Sequence, residues 1–207
     1  MSIENKLKGL YVITDDTLTP DETLLVQVEQ ALLGGASIVQ LRDKINTDEV
    51  IKEKIKKLQN LCKDHDALFV LNDKIDLAIE LKCDGLHIGK SDHSRFDEIR
   101  ENFKGVIGVS CYGNVTMAKD FQMRGADYVA FGSFFTSPTK PNSNIIALET
   151  LKEARNKLNI PVCAIGGINT TNVDEVVEYH PDMISVINDV WSAKDIKSQS
   201  SLYVNQF

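Results

Sequence analysis

No Cys-x-x-Cys pair occurs in the 207 residues, and the four cysteines, Cys62, Cys83, Cys111 and Cys163, are scattered. That spacing argues against a zinc site or a disulfide frame and fits thiols kept reduced in a core. No apolar run approaches the ~20 residues of a membrane helix, and the N-terminus has no hydrophobic signal region. Positive charge is not in excess: 23 Lys and Arg stand against 30 Asp and Glu, for a formal charge of −7. This removes any general electrostatic reason to seek nucleic acid or an anionic membrane as partner. Any phosphate ligand must be held by a local cluster. No Gly-x-Gly-x-x-Gly follows the first apolar run, no Ser sits on a Gly-x-Ser-x-Gly elbow, and no His pairs locally with a Cys. The default expectation is a cytoplasmic protein with small-molecule partners, no nucleic acid and no membrane; a homo-oligomer is neither indicated nor opposed.

What is present is an alternation. Apolar runs at Gly9–Asp15, Ile38–Lys44, Ala67–Asp73, Gly85–Gly89, Val106–Cys111, Tyr128–Phe134, Pro161–Ile165 and Met183–Asn188 read as strands. Between them lie helical patterns, such as Thr47–Lys63 with Val50, Ile51, Ile55, Leu58 and Leu61 on one face. Thr19-Pro20 reads as a helix cap followed by proline at the first helical position. From Trp191 onward the chain reads as helical and then frayed. Eight strands alternating with eight helices, without a linker, predict one α/β domain over residues 1–207, a (β/α)8 TIM barrel of small size. An open flavodoxin-like or Rossmann sheet is the alternative.

In a barrel the site lies at the carboxyl ends of the strands. The second of these ends, Val39-Gln40-Leu41-Arg42-Asp43-Lys44, sets Gln40, Arg42 and Lys44 on one face. Two cations and an amide there suit a diphosphate or carboxylate clamp; a solvated edge face is the plainer reading. Asp73 and Asp92 follow strands three and four. Singly, each fits a helix cap; as neighbours opposite a cationic strand they fit a Mg²⁺ site. Gly166-Gly167, after strand seven, suits a phosphate held on backbone N–H groups, or an ordinary tight turn. Ser137, Thr139 and Lys140 lie in a Ser/Thr/Pro/Asn loop, either flexible surface or a lid with phosphate donors. His87 reads as a satisfied interior histidine.

Taken together, Val39 to Lys44, Leu71-Asn72-Asp73, Gly85 to Gly89 through Asp92, Gly108-Val109-Ser110, Ser137 to Lys140 and Ala164 to Ile168 resemble the thiamine-phosphate synthases. The motifs stand in the family's order over nearly the whole chain. The resemblance implies a barrel that couples hydroxymethylpyrimidine diphosphate to thiazole phosphate with Mg²⁺, releasing diphosphate by a dissociative route. It implies Gln40, Arg42, Lys44, Asn72, Ser110 and Lys140 for the pyrimidine diphosphate. It assigns Asp73 and Asp92 to the metal, and Ser137, Thr139, Gly167, Ile187 and Asn188 to the thiazole phosphate. Three positions depart from the family's pattern: Lys90 replaces Gln, Asn188 replaces Ser, and no glycine follows Lys140. The sister thiazole tautomerases share the pattern but place a His after strand five, where this chain has Cys111-Tyr112. A non-catalytic phosphate sensor on the same barrel would have no use for the paired Asp73 and Asp92.

Overall fold

The computed structural model describes residues 6–137 and 142–207. Eight parallel strands close into a barrel in chain order. They are β1 (Gly9–Ile13), β2 (Ile38–Leu41), β3 (Leu68–Asn72), β4 (Gly85–Ile88), β5 (Val106–Tyr112), β6 (Tyr128–Phe131), β7 (Val162–Ile165) and β8 (Met183–Val186). Between them run α1 (Leu24–Leu33), α2 (Asp48–Asp64), α3 (Ile75–Glu80), a 3₁₀ turn at Lys90–Arg95 leading into α4 (Phe96–Asn102), α5 (Val115–Met123), α6 (Glu149–Lys157) and α7 (Val173–Val177). After β8 come α8 (Asn188–Trp191) and α9 (Ile196–Val204). This is the TIM barrel expected from the alternation.

Two apolar layers explain the closure. Strand side chains alternate, so each strand feeds a cluster inside the barrel and another beneath the helices. Inside are Tyr11, Ile13, Ile38, Leu68, Val70, Val106, Tyr128, Ala130, Cys163 and Met183. Outside, Val12, Val39, Leu41, Phe69 and Leu71 meet the helices, whose buried positions recur at helical spacing, as Ile51, Ile55, Leu58 and Cys62 do on α2. The interior is shaped by size as well as polarity. A Cβ added at Gly108 would enter the Tyr128 ring, so β5 supplies the gap that this tyrosine fills.

The amino-terminal face is held by repeated aspartates that sequence reasoning passed over. Asp127 Oδ2 accepts from the N–H of Ile107 (2.7 Å) and from Arg100 (2.8 Å). Asp182 Oδ2 accepts from the N–H of Val162 (2.8 Å) and from Arg155 (2.5 Å). Each sits just before one strand and caps the start of its neighbour.

Several boundaries differ from the sequence reading. β1 stops at Ile13 because Asp15 Oδ1 takes the N–H groups of Thr17 and Leu18 into a turn. Thr19 is not a helix cap: its hydroxyl donates to the Asp15 carbonyl and accepts the Asp15 N–H, and α1 begins only at Leu24. β2 ends at Leu41, leaving Arg42 and Lys44 on the following turn. β8 ends at Val186, and Asn188 opens α8 rather than closing the strand. Trp191 closes α8, and the tail is not frayed. α9 is capped by Asp195, whose Oδ1 accepts from Ser198 N–H (2.9 Å), and Tyr203 Oη donates to Asp189 Oδ2 (2.5 Å). All four cysteines are free and buried, and no helix among the described residues is long and apolar enough to cross a membrane.

Candidate active site

Strand parity decides which side chains reach the barrel mouth. Gln40, Asn72, Ser110 and Ser185 each lie an even number of residues beyond an inner-layer residue, namely Ile38, Val70, Val106 and Met183. They form the polar storey above an apolar floor. Gln40 is buried, its Nε2 donating to Tyr11 Oη at 2.6 Å. His87 is satisfied on both nitrogens, as its sequence setting suggested: Nδ1 lies 2.9 Å from Tyr128 Oη and Nε2 2.9 Å from Ser110 Oγ. Strand alternation turns Cys111 into the outer core while Tyr112 emerges at the mouth, and the pairing of β5 with β6 shifts register between Ser110 and Tyr112.

Beyond β2 the chain turns on Asp43, a residue sequence reasoning left without a role. Its Oδ1 accepts from the N–H groups of Ile45 (3.2 Å) and Asn46 (3.0 Å). Its Oδ2 accepts from Asn46 Nδ2 (2.9 Å) and from Lys54 Nζ on α2 (2.6 Å). Burial by itself would raise the Asp43 pKa, but the bonds from Lys54 and Asn46 outweigh it and hold the carboxyl below its ordinary range. Asp43 thus pins the turn that carries Arg42 and Lys44. Because its folded pKa lies below the unfolded value of about 4, its stabilisation is present above that pH and is lost as pH falls through the folded value. We expect Asp43→Ala to cost ~2–3 kcal/mol at pH 7, since it orphans buried donors. The difference from wild type should narrow in thermal melts below pH 4; a constant gap down to pH 2 would contradict this role.

Arg42 is half-buried, with no hydrogen bond or ion pair from its guanidinium among the described residues; its backbone is held by Thr14, whose Oγ1 accepts the Arg42 N–H at 2.9 Å and donates to the Arg42 carbonyl at 3.5 Å. Lys44, exposed, makes an ion pair with Asp73. Asp73 adopts a left-handed backbone (φ 61°), a region Asp tolerates better than most residues. The helix-cap alternative is not realised, because α3 has no side-chain cap. Nor does Asp92 cap α4; its Oδ2 accepts from Ser91 Oγ at 2.7 Å. Gly89, at the end of β4, lies near both residues: a Cβ on it would stand 3.9 Å from Asp73 Oδ1, and its carbonyl accepts the Asp92 N–H at 3.1 Å. Among the described residues no group of three or more His, Cys, Asp and Glu side chains is placed to hold a metal. Two carboxylates are nonetheless the donor set Mg²⁺ uses when substrate phosphate and water complete its shell.

Across the mouth lies a cavity of about 850 Å³ at the ends of β5 to β8. Ser110, Ser137, Gly167, Ile187 and Asn188 line it together, with Lys90, Ser133, Thr136 and Ser185. Gln40, Arg42, Lys44, Asn72, Asp73 and Asp92 lie on the β2–β4 side, outside this lining. Thr139 and Lys140 fall outside the described residues. Gly166 and Gly167 have φ of 105° and 68°, and a Cβ on Gly167 would meet backbone atoms of Phe135 and Thr136. Only glycine allows the β7 and β6 loops to close on each other here. Asp189 ties this rim to the C-terminal helix: Oδ2 accepts from Thr170 N–H (3.3 Å), Gln199 Nε2 (2.6 Å) and Tyr203 Oη. Nothing in the sequence around Asp189 signalled that, because its partners are at long range.

A polar storey of this kind, with a carboxylate–cation rim and a glycine-walled cavity, can bind two anionic ligands side by side. Residues 10–190 match the family described as Thiamine monophosphate synthase. The chain belongs to that family. Its relatives include the thiamine-phosphate synthase of Wolinella succinogenes, 44% identical over 189 residues (90% of this chain, 87% of the relative). That of Thermoplasma acidophilum is 38% identical over 196 residues (94% and 91%). Among solved structures, the thiamine phosphate pyrophosphorylase of Pyrococcus furiosus superposes with a TM-score of 0.87 at 36% identity, covering 99% of this chain and 97% of its own. A 3-hexulose-6-phosphate synthase, 16% identical with a TM-score of 0.71, shares the fold alone. Family membership makes the chain a transferase of thiamine biosynthesis.

Proposed function

We propose that this barrel joins hydroxymethylpyrimidine diphosphate to thiazole phosphate and releases diphosphate. The observation that carries the reading is the division of one mouth into two phosphate-suited halves: Arg42 and the Lys44–Asp73–Asp92 rim on one side, the Gly166-Gly167 cavity on the other. Gln40, Arg42, Lys44, Asn72, Ser110 and Lys140 serve the pyrimidine diphosphate; Ser137, Thr139, Gly167, Ile187 and Asn188 serve the thiazole phosphate. Asp73 and Asp92 hold Mg²⁺, which when bound supplies positive charge against the departing diphosphate.

The chemistry asked of the side chains is modest. The C–O bond to diphosphate breaks with its electron pair leaving on oxygen, and the thiazole nitrogen attacks the pyrimidine cation. Arg42 and Lys44 stabilise the leaving charge, and the cavity holds the nucleophile in line. No side-chain nucleophile is required, in keeping with the absent triad motifs. The tautomerase reading is disfavoured by residue type: Cys111, next after Ser110, is buried in the outer core, and Tyr112, which lines the cavity, stands where that family's histidine would be needed. Incubation of the protein with both substrates and Mg²⁺ should give thiamine phosphate, detected by fluorescence after oxidation. Absence of product would overturn the reading.

Arg42→Lys should not be conservative, since one ammonium cannot reproduce a bidentate fork. The expected loss is ~2 kcal/mol, about 30-fold in kcat/KM for the pyrimidine diphosphate. Unchanged steady-state constants would remove Arg42 from the site.

A further inference from the structure

Five side chains from five strands form one hydrogen-bonded chain through the barrel. Gln40 Nε2 lies 2.6 Å from Tyr11 Oη, and Tyr11 Oη lies 2.8 Å from Tyr128 Oη. Tyr128 Oη lies 2.9 Å from His87 Nδ1, and His87 Nε2 lies 2.9 Å from Ser110 Oγ. Both phenols are buried, and burial raises both pKa values, so each hydroxyl keeps its proton and must donate it somewhere. Tyr128 is also locked sterically, edge-on to Tyr11 at a centroid distance of 6.1 Å and against the Cβ-free Gly108.

We infer that Tyr11 and Tyr128 are positioning residues that make this chain run one way, from Gln40 to Ser110. With Gln40 Nε2 donating to Tyr11, the Tyr11 proton has one acceptor within reach, Tyr128. If Tyr128 donated back to Tyr11 instead, the Tyr11 hydroxyl would be a buried donor with nothing to meet among the described residues, which costs more than a hydrogen bond contributes. Tyr128 therefore donates to His87 Nδ1, His87 carries its proton on Nε2 and donates to Ser110, and the Ser110 proton is left for the cavity.

The ends are thereby coupled. Gln40 offers Oε1, which has no hydrogen-bond partner among the described residues, as an acceptor toward the mouth. Ser110 offers a donor. With a neutral imidazole, the only other self-consistent arrangement flips the Gln40 amide and reverses every bond, leaving Ser110 as an acceptor. An anionic diphosphate accepts only, so it requires the first arrangement; this step rests on the proposed function. Neither tyrosine need touch a substrate to set what the site recognises: a donor group above Gln40 and an anion beside Ser110.

The direction can be read on the protein without substrates. Two-bond ¹H–¹⁵N correlation of the imidazoles, with His87 assigned by a His87→Gln variant, should show His87 at pH 7.5 as the Nε2–H tautomer. The Nδ1–H tautomer, or a doubly protonated ring, would overturn the inference, whether or not coupling activity is found. Tyr128→Phe should leave His87 as a tautomer mixture. Tyr11→Phe should raise KM for the pyrimidine diphosphate about tenfold with a smaller change in kcat, because the loss is one of ligand alignment. An unmoved tautomer in the first variant, or an unmoved KM in the second, would reduce the tyrosines to core packing. If the variants fail to fold, the wild-type tautomer still decides. Failure of wild-type coupling would fall on the proposed function and leave the tautomer result standing.

Discussion

Asp73→Asn is expected to lower turnover by about 100-fold or more while leaving the barrel folded. The substitution is chosen because the backbone can accept it: Asp73 has φ 61°, and Asn, like Asp, is enriched in that region. Its ion pair with Lys44 is partly exposed on both sides and so contributes only ~0.2–1 kcal/mol. What Asn loses is charge. An amide oxygen can still approach a hard cation but does not neutralise it, so the Mg²⁺ concentration for half-maximal rate should rise along with the fall in turnover. Asp92→Asn should behave in the same direction, since Asp73 follows β3 and Asp92 follows the adjacent β4. A Gly89→Ala variant, whose Cβ would stand at ordinary contact distance from Asp73, should be far milder. Wild-type turnover in Asp73→Asn at limiting Mg²⁺ would remove Asp73 from the metal site.

Gly167→Ala is the second large expected effect, and it acts through backbone. The added Cβ would press on the Phe135 and Thr136 backbone, which no rotamer change can relieve, and φ of 68° adds its own strain. Together these should cost ~1–3 kcal/mol, lowering Tm by several degrees. The larger consequence is for the cavity, since Thr136, Ser137 and Gly167 all line it and must move apart. KM for thiazole phosphate should rise by about tenfold or more, with KM for the pyrimidine diphosphate much less affected. Equal changes in both constants would mean that the two halves of the mouth are not separate subsites.

Much of this was legible in the sequence because the signals were local. Eight apolar runs separated by helical patterns are a short-range property, and they closed into the barrel they implied. Gln40 and Ser110 could be placed by parity along their strands, and Gly166-Gly167 by its position after β7. The errors came where a side chain overrode the local pattern. Asp15 and Asp43 capture backbone N–H groups and end β1 and β2 early, so Arg42 and Lys44 leave the strand on which parity had set them. Asn188 and Trp191 were misplaced because α8 is only one turn long, too short for any periodicity to show. The long-range groups were invisible altogether. Tyr11, Tyr128 and Asp189 read as ordinary residues until the closed barrel brings their partners from 10 to 117 positions away.

The most direct measurement counts two products at once. With both substrates and Mg²⁺, thiamine phosphate and diphosphate should appear in equal amounts, stop on addition of excess chelator and resume when Mg²⁺ is restored. Diphosphate release without thiamine phosphate, or coupling that proceeds at full rate under chelator, would contradict the assignment of this mouth to metal-assisted coupling.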